Sequence, residues 1–154
     1  MRPQLSGHLA LLAGRRRDGQ PVFEVVPARS SPGGLWELLG TPALAEGCAE
    51  GDVVAVHEEG EFEVRERGGN VAVVSYAKQG QTLERHVAPL ERVLNSLQGT
   101  VECPDDGRWI VATVPVSSGF SAIEAAMSGW AAAAGCDWSF GNVYDQDGQP
   151  LNWW

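Results

Sequence analysis

Basic residues are scarce in this chain. Its 154 residues carry 11 Lys and Arg against 20 Asp and Glu, a formal net charge of −9. Phosphate binding rests on neutralisation by Lys and Arg, so this balance argues against non-specific binding to nucleic acid or to an anionic membrane. It favours solubility and fast encounter with a basic partner. Cysteine is scarce as well. Cys48, Cys103 and Cys136 are far apart and form no CxxC. An odd count without a pairing pattern reads as reduced thiols in a cytosol. Together with the scattered His8, His57 and His86, they lack the clustered spacing of a zinc site, and no cofactor is implied. No apolar run approaches the roughly 20 residues of a membrane span. The apolar stretch near the N-terminus is short, is broken by Gly7 and His8, and precedes its Arg triplet instead of following it, so it does not read as a secretory signal. There is no internal repeat, and no low-complexity tract beyond the alanines at 131–134.

What is present suits a soluble globular protein: 44% hydrophobic and 20% charged residues, in a length that makes one ordinary domain or two small ones sharing a core. Residues 50–76 are the most patterned stretch. Val54 and Val56, then Phe62 and Val64, alternate with polar or charged residues, and Glu58-Glu59-Gly60 and Gly68-Gly69-Asn70 punctuate them. Alternation with turn signals predicts an antiparallel three-strand meander with an acidic outer face. Upstream, residues 9–13 and 21–27 form a hairpin about Asp18-Gly19, residues 35–39 a short strand, and residues 41–51 an irregular segment. These strands predict a small, partly closed barrel over residues 1–77.

The period then changes. Leu83, Val87, Leu90, Leu94 and Leu97 recur every three or four residues, which predicts an amphipathic helix. Pro89 either kinks it or marks its first turn, and Gly99 ends it. Strands follow at residues 100–103 and 109–116, around Pro104-Asp105-Asp106-Gly107. Ser121 and Glu124 have the spacing of a capping box, opening a helix through Ile123, Met127, Trp130 and Ala134 that Gly135 closes. Residues 138–144 make a last strand. With residues 71–77 counted first, the order is strand, helix, strand, strand, helix, strand. That is the order of a ferredoxin-like split β-α-β unit. The fold class expected is therefore α+β, a barrel-like half at 1–77 and a ferredoxin-like half at 78–154, in one shared globular unit.

Three groups of residues carry a family resemblance. They are Phe23-Glu24-Val25-Val26-Pro27-Ala28; then Trp36-Glu37-Leu38 through Pro42 with Gly47-Cys48-Ala49-Glu50-Gly51-Asp52-Val53-Val54; then Ala112-Thr113-Val114-Pro115 and, beyond a helix, Gly135-Cys136-Asp137-Trp138. In these the chain resembles a bacterial family catalogued as domain of unknown function 4265, from about Leu9 to Tyr144. It departs where Gly40-Thr41-Pro42-Ala43-Leu44 stands in place of the family's Asn and Phe around its Pro, and it lacks a Trp-Ala pair after the strand containing Glu24. The resemblance implies a fold and carries no activity with it.

Candidate chemistry is thin. Cys48 and His57 are the nearest thiol and imidazole in sequence, but nothing basic flanks Cys48, and an isolated Cys is commonly buried. Glu58-Glu59, Asp105-Asp106 and the pair Asp145 and Asp147 fall in turns, where carboxylates are ordinarily solvated. Asp145-Gln146-Asp147-Gly148 has the opening of a calcium loop without its twelfth-position Glu. The segment Ser117-Ser118-Gly119-Phe120-Ser121 offers a helix N-terminus to an anion, with ordinary capping the plainer reading. Arg15, Arg16 and Arg17 form a charged hairpin tip. Of the six Trp, Trp36, Trp109, Trp130 and Trp138 fall on regular elements. Trp153-Trp154 either covers an apolar gap in its own domain or anchors a partner.

Two functional expectations follow. The first is a cytoplasmic, non-enzymatic protein-binding module of the inhibitor or immunity type that sequesters a basic toxin or another basic protein. Glu58, Glu59, Glu61, Asp105, Asp106, Asp145 and Asp147 would steer the partner, with Trp153 and Trp154 as anchors. The alternative is a small enzyme or small-molecule binder with its site between the halves, near Trp36, Cys48 and His57.

Overall fold

A computed structural model describes residues 6–154; the first five residues of the stretch weighed above as a secretory leader lie outside them. The fold is α+β, two antiparallel sheets of five and four strands with two α-helices. The first sheet holds β1 (Ser6–Arg15), β2 (Pro21–Ser31), β3 (Leu35–Leu38), β4 (Val53–Val56) and β5 (Phe62–Glu66), each paired with its neighbour in sequence. The β1–β2 turn forms where expected: the Asp18 carboxylate accepts the Gln20 N–H at 3.0 Å, and Gly19 takes φ 86°. Alternation then sorts the faces. Leu11, Val26, Ala28, Leu38 and Val54 point inward with Ala45 and Cys48, while Val25 and Pro27 face out.

The described residues form no closed barrel. The sheet order leaves β1 and β5 as edges. It curls far enough for the 3-10 turn at Glu58–Gly60 to meet β1, where a Cβ on Gly60 would lie 2.9 Å from the Ala10 carbonyl oxygen and Arg15 pairs with Glu59 at 3.0 Å. The lengths explain the gap: β4 and β5 have 4 and 5 residues against 10 and 11 in β1 and β2. Exposed Glu63, Arg65 and Glu66 also blunt the β5 edge.

The expected meander breaks after its second strand. β6 (Asn70–Tyr76) leaves the first sheet and pairs with β8 (Trp109–Pro115) on one side and β9 (Ser139–Phe140) on the other. Residues 71–75 are all buried, so this strand has no wet face and needs cover on both. Helices α1 (Val87–Asn95) and α2 (Phe120–Ala134) cover one face. Val71, Val73, Ile110, Ala112 and Val114 meet Leu90, Leu94, Ile123, Met127 and Trp130 there. Each such side chain contributes about 1.5–3 kcal/mol of apolar burial. The other face packs against the connector 39–52, with Ala43 against Val74 and Val111. β7 (Thr100–Glu102) completes the second sheet, whose order is β7-β8-β6-β9.

Local signals were met with three adjustments. A 3-10 turn at Glu84–His86 precedes α1, so Pro89 sits in the first helical turn. α2 starts at Phe120 after Gly119 (φ 89°), with no side-chain cap. Ser121 is thus already inside the helix, and the nearby Ser118 hydroxyl donates to the Leu97 carbonyl at 2.7 Å. The last strand stops at Phe140. Beyond it Asn142 is fully buried and bonds β6 through its side chain, accepting from Ala72 N–H and donating to the Asn70 carbonyl, each at 2.8 Å.

Two carboxylates fasten the connector. Glu24 accepts the N–H groups of Ala43, Leu44 and Ala45 at 2.8–2.9 Å, an internal version of an anion-binding backbone nest. Asp52, 1% exposed, accepts those of Ala49 and Gly68 at 2.9 and 2.8 Å and lies 3.5 Å from the Arg67 guanidinium. Thr41 and Thr113 share a buried hydroxyl bond of 2.6 Å that ties the connector to β8.

Candidate functional site

The outer edge of the second sheet builds the most distinctive surface. Among the described residues β7 pairs only with β8, through Thr100 to Thr113, Val101 to Ala112 and Glu102 to Val111. The chain reaches this edge by a tight exit from α1. The Gly99 N–H donates to the Leu94 carbonyl at 2.9 Å, and a Cβ at Gly99 would stand 3.0 Å from the Leu94 Cβ. Pro104 and the turn to Gly107 end the strand. The Gly107 carbonyl accepts the Leu83 N–H at 2.8 Å, which brings Glu84 alongside. Between α1 and β7 lies a trough of two cavities, about 730 Å³ and 510 Å³, that share Val101. Val87 and Val101 give it apolar contact on the side of the helices, and Trp109 on the opposite, connector-facing side of the sheet. Glu84, Glu91, Glu102 and Asp105 line its walls, with Arg92 as the one base.

The field in this trough is negative. Burial pushes the Cys103 thiol above its ordinary pKa, and Glu84, Asp106 and Asp105 push it further. Such a thiol is a poor nucleophile; its S–H points to the Pro104 carbonyl at 3.4 Å. Glu50 is likewise raised, first by burial and then by Glu102.

The residues singled out in the sequence fall in several places. Asp105 lines the trough, and Asp106 beside it accepts the Arg108 N–H at 3.2 Å. Glu58, Glu59 and Glu61 are exposed at the turn leading into β5. Asp145 and Asp147 are exposed in a turn where the Asp145 carboxylate accepts the N–H groups of Asp147 and Gln149 at 2.9 Å. The Trp153 indole N–H donates to the Asn142 carbonyl at 2.8 Å, and Arg67 stands 5.5 Å from its ring centre. Trp154, 47% exposed, packs edge-on against Phe120 at 5.0 Å and Trp153 at 5.6 Å. Trp36 and Cys48 meet in the core of the first sheet. Burial drives the Cys48 thiol far up, with Asp52 and Glu24 adding to it. His57 is instead exposed, 3.8 Å from Glu63, so the buried thiol and this imidazole belong to different environments. Among the described residues, no group of three or more His, Cys, Asp or Glu is placed to hold a metal ion. No described helix is long and apolar enough to cross a membrane.

Sequence reasoning missed Glu84 and Glu102, which line the same cavity as Asp105, and Glu91 in the adjoining one. A signal was available: Glu102 ends a strand of three residues between Gly99 and Pro104, and so short a strand belongs at an edge.

A family model described as "Domain of unknown function (DUF4265)" matches residues 24–138. The matched span runs from β2 to the approach of β9 and contains the whole trough. A crystal structure of a hypothetical protein from Neisseria gonorrhoeae is similar, with a TM-score of 0.68 and 13% identity over 89% of this chain and 94% of that one. At that identity the likeness concerns the fold alone. No curated protein matches the chain.

Proposed function

The chain belongs to the family described as Domain of unknown function (DUF4265), and from that premise we propose that it is a cytoplasmic protein-binding module, of the inhibitor or immunity type, that sequesters a basic protein. Its second layer serves as a ferredoxin-like split β-α-β platform for that task. One observation carries the reading: exposed acids line the outer edges of both sheets. Glu58, Glu59, Glu61, Glu63 and Glu66 lie on or beside β5, and Glu84, Glu102, Asp105 and Asp106 on or beside β7. Acids spread along open edges cost the fold little and give a long-range field that draws in a basic partner.

Affinity capture at two salt concentrations tests this. Screening shortens from about 10 Å at 0.1 M salt to about 3 Å at 1 M. The immobilised protein is expected to retain basic proteins from native lysate at the lower concentration and to release them at the higher. Capture that persists unchanged at high salt, or that selects acidic proteins, would overturn the proposal.

A further inference from the structure

We infer that the trough between α1 and β7 takes up an extended, Lys- or Arg-rich segment of the partner as an added strand on the edge of the second sheet. This deepens the reading above and rests on it. Three observations on one edge support it. Among the described residues β7 has a single neighbour, β8, so one row of its backbone groups has no sheet partner among them, the template that strand addition uses. The edge is not a bare one, because α1 lies beside it and two open cavities that share Val101 run along it. The lining then selects the occupant. An added strand presents alternate side chains to opposite sides. Here Val101, with Val87, faces the side of the helices and Glu102, with Trp109, faces the connector side, and the lining as a whole offers the four carboxylates of Glu84, Glu91, Glu102 and Asp105 against the guanidinium of Arg92. The occupant that fits is an extended chain alternating basic and apolar residues.

The other sheet edges are less suited. The 3-10 turn at Glu58–Gly60 lies over the middle of β1. β9 has two residues. β5 is acidic but carries an exposed base, Arg65, 3.4 Å from Glu63.

The test uses the full chain and two synthetic peptides, one alternating Lys and Val and one alternating Glu and Val. Amide hydrogen exchange and backbone NMR shifts are followed residue by residue. The Lys-Val peptide is expected to bind with a dissociation constant below about 1 mM, to slow exchange at residues 100–103, and to leave β5 unchanged. The Glu-Val peptide is expected not to bind. Charge reversal at two exposed positions, E84K with E102K, should weaken the Lys-Val peptide at least about tenfold while the NMR spectrum stays that of the folded protein. Binding that protects β5 or β1 instead, or equal binding of both peptides, overturns the inference, as does no binding at about 1 mM. The broader reading stands or falls separately, on the salt dependence of capture.

Discussion

The acidic residues of this protein do two different jobs, and the connector and the sheet edges show the contrast. Around the connector, Glu24 of β2 and Asp52 take five backbone N–H groups between them. Along β5 and β7 the acids are exposed, and several pair with exposed bases: Glu59 with Arg15, Glu63 with Arg65, Asp106 with Arg108. A net charge of −9 hides this division. The buried acids build the fold, and the exposed ones are free to meet a partner. Substitutions in the two sets should therefore separate cleanly into losses of stability and losses of binding.

The largest effect is expected at Asp52. Asp52→Ala leaves the Ala49 and Gly68 N–H groups without their acceptor and Arg67 without its anion. Buried donors stripped of a charged partner cost about 3 kcal/mol, or roughly 10 °C in Tm for a chain of this size. Thermal unfolding measures it. A Tm within a degree or two of wild type would make Asp52 no different from the edge acids and dissolve the contrast.

Next comes Gly68, which approaches Gly51 backbone to backbone. A Cβ there would stand 2.5 Å from the Gly51 carbonyl carbon and 2.7 Å from its Cα. Backbone cannot yield as a side chain does, so Gly68→Ala is expected to cost about 2 kcal/mol. It should also weaken the Asp52 bond to the Gly68 N–H. The double variant with Asp52→Ala should then lose less than the two single losses combined. Full additivity in denaturant unfolding would show that the glycine contact and the carboxylate act independently.

These two residues also mark the limit of what the sequence makes legible. The β1–β2 hairpin, both helices and the strand-helix-strand-strand-helix-strand order could be read, because turn pairs and apolar periods are local. The assignment of β6 to the first sheet failed for a readable reason. Residues 71–75 run Val-Ala-Val-Val-Ser without charge, the mark of a strand covered on both faces, whereas β5 before it alternates. The capping box at Ser121 failed because Gly119, at positive φ, already starts the helix. Asp52 and Glu24 were not legible as anchors at all, since their partners lie 16 to 21 residues away for Gly68 and the connector amides and are backbone groups with no sequence signature. Of the acids in the trough, only Asp105 was singled out; the others depend on α1 folding back along β7.

A smaller effect tests the boundary between the two sets. Glu50 lies at the connector, half-buried, and both burial and the Glu102 charge raise its pKa, while burial raises that of Asp52. A raised folded pKa means that the native state holds the proton more tightly than the unfolded chain. The associated stability is present below the unfolded value, about 4 for a carboxylate, and is lost as pH rises through the folded value. Glu50→Gln removes that loss at one site. The variant should gain on wild type as pH is raised from about 4 to 7, seen as converging or crossing denaturation midpoints. A difference that is constant across this range, or that grows in the opposite sense, would place Glu50 with the solvated edge acids.

The smallest stability effect belongs to the edge itself. Glu58 and Glu59 are exposed, and the Glu59 pair with Arg15 joins side chains that are 66% and 45% exposed. Solvent screening leaves such a pair worth little, so Glu58→Lys with Glu59→Lys should change stability by less than about 0.5 kcal/mol. The same change reverses the field beside β5, and retention of basic proteins at low salt should drop if both edges share in steering. Peptide uptake at β7 should survive, because the trough keeps its own carboxylates. Loss of retention with peptide uptake intact would separate long-range steering by β5 from docking at β7. Loss of both would mean that the two edges form one continuous acidic surface, with the fold unaffected in either case.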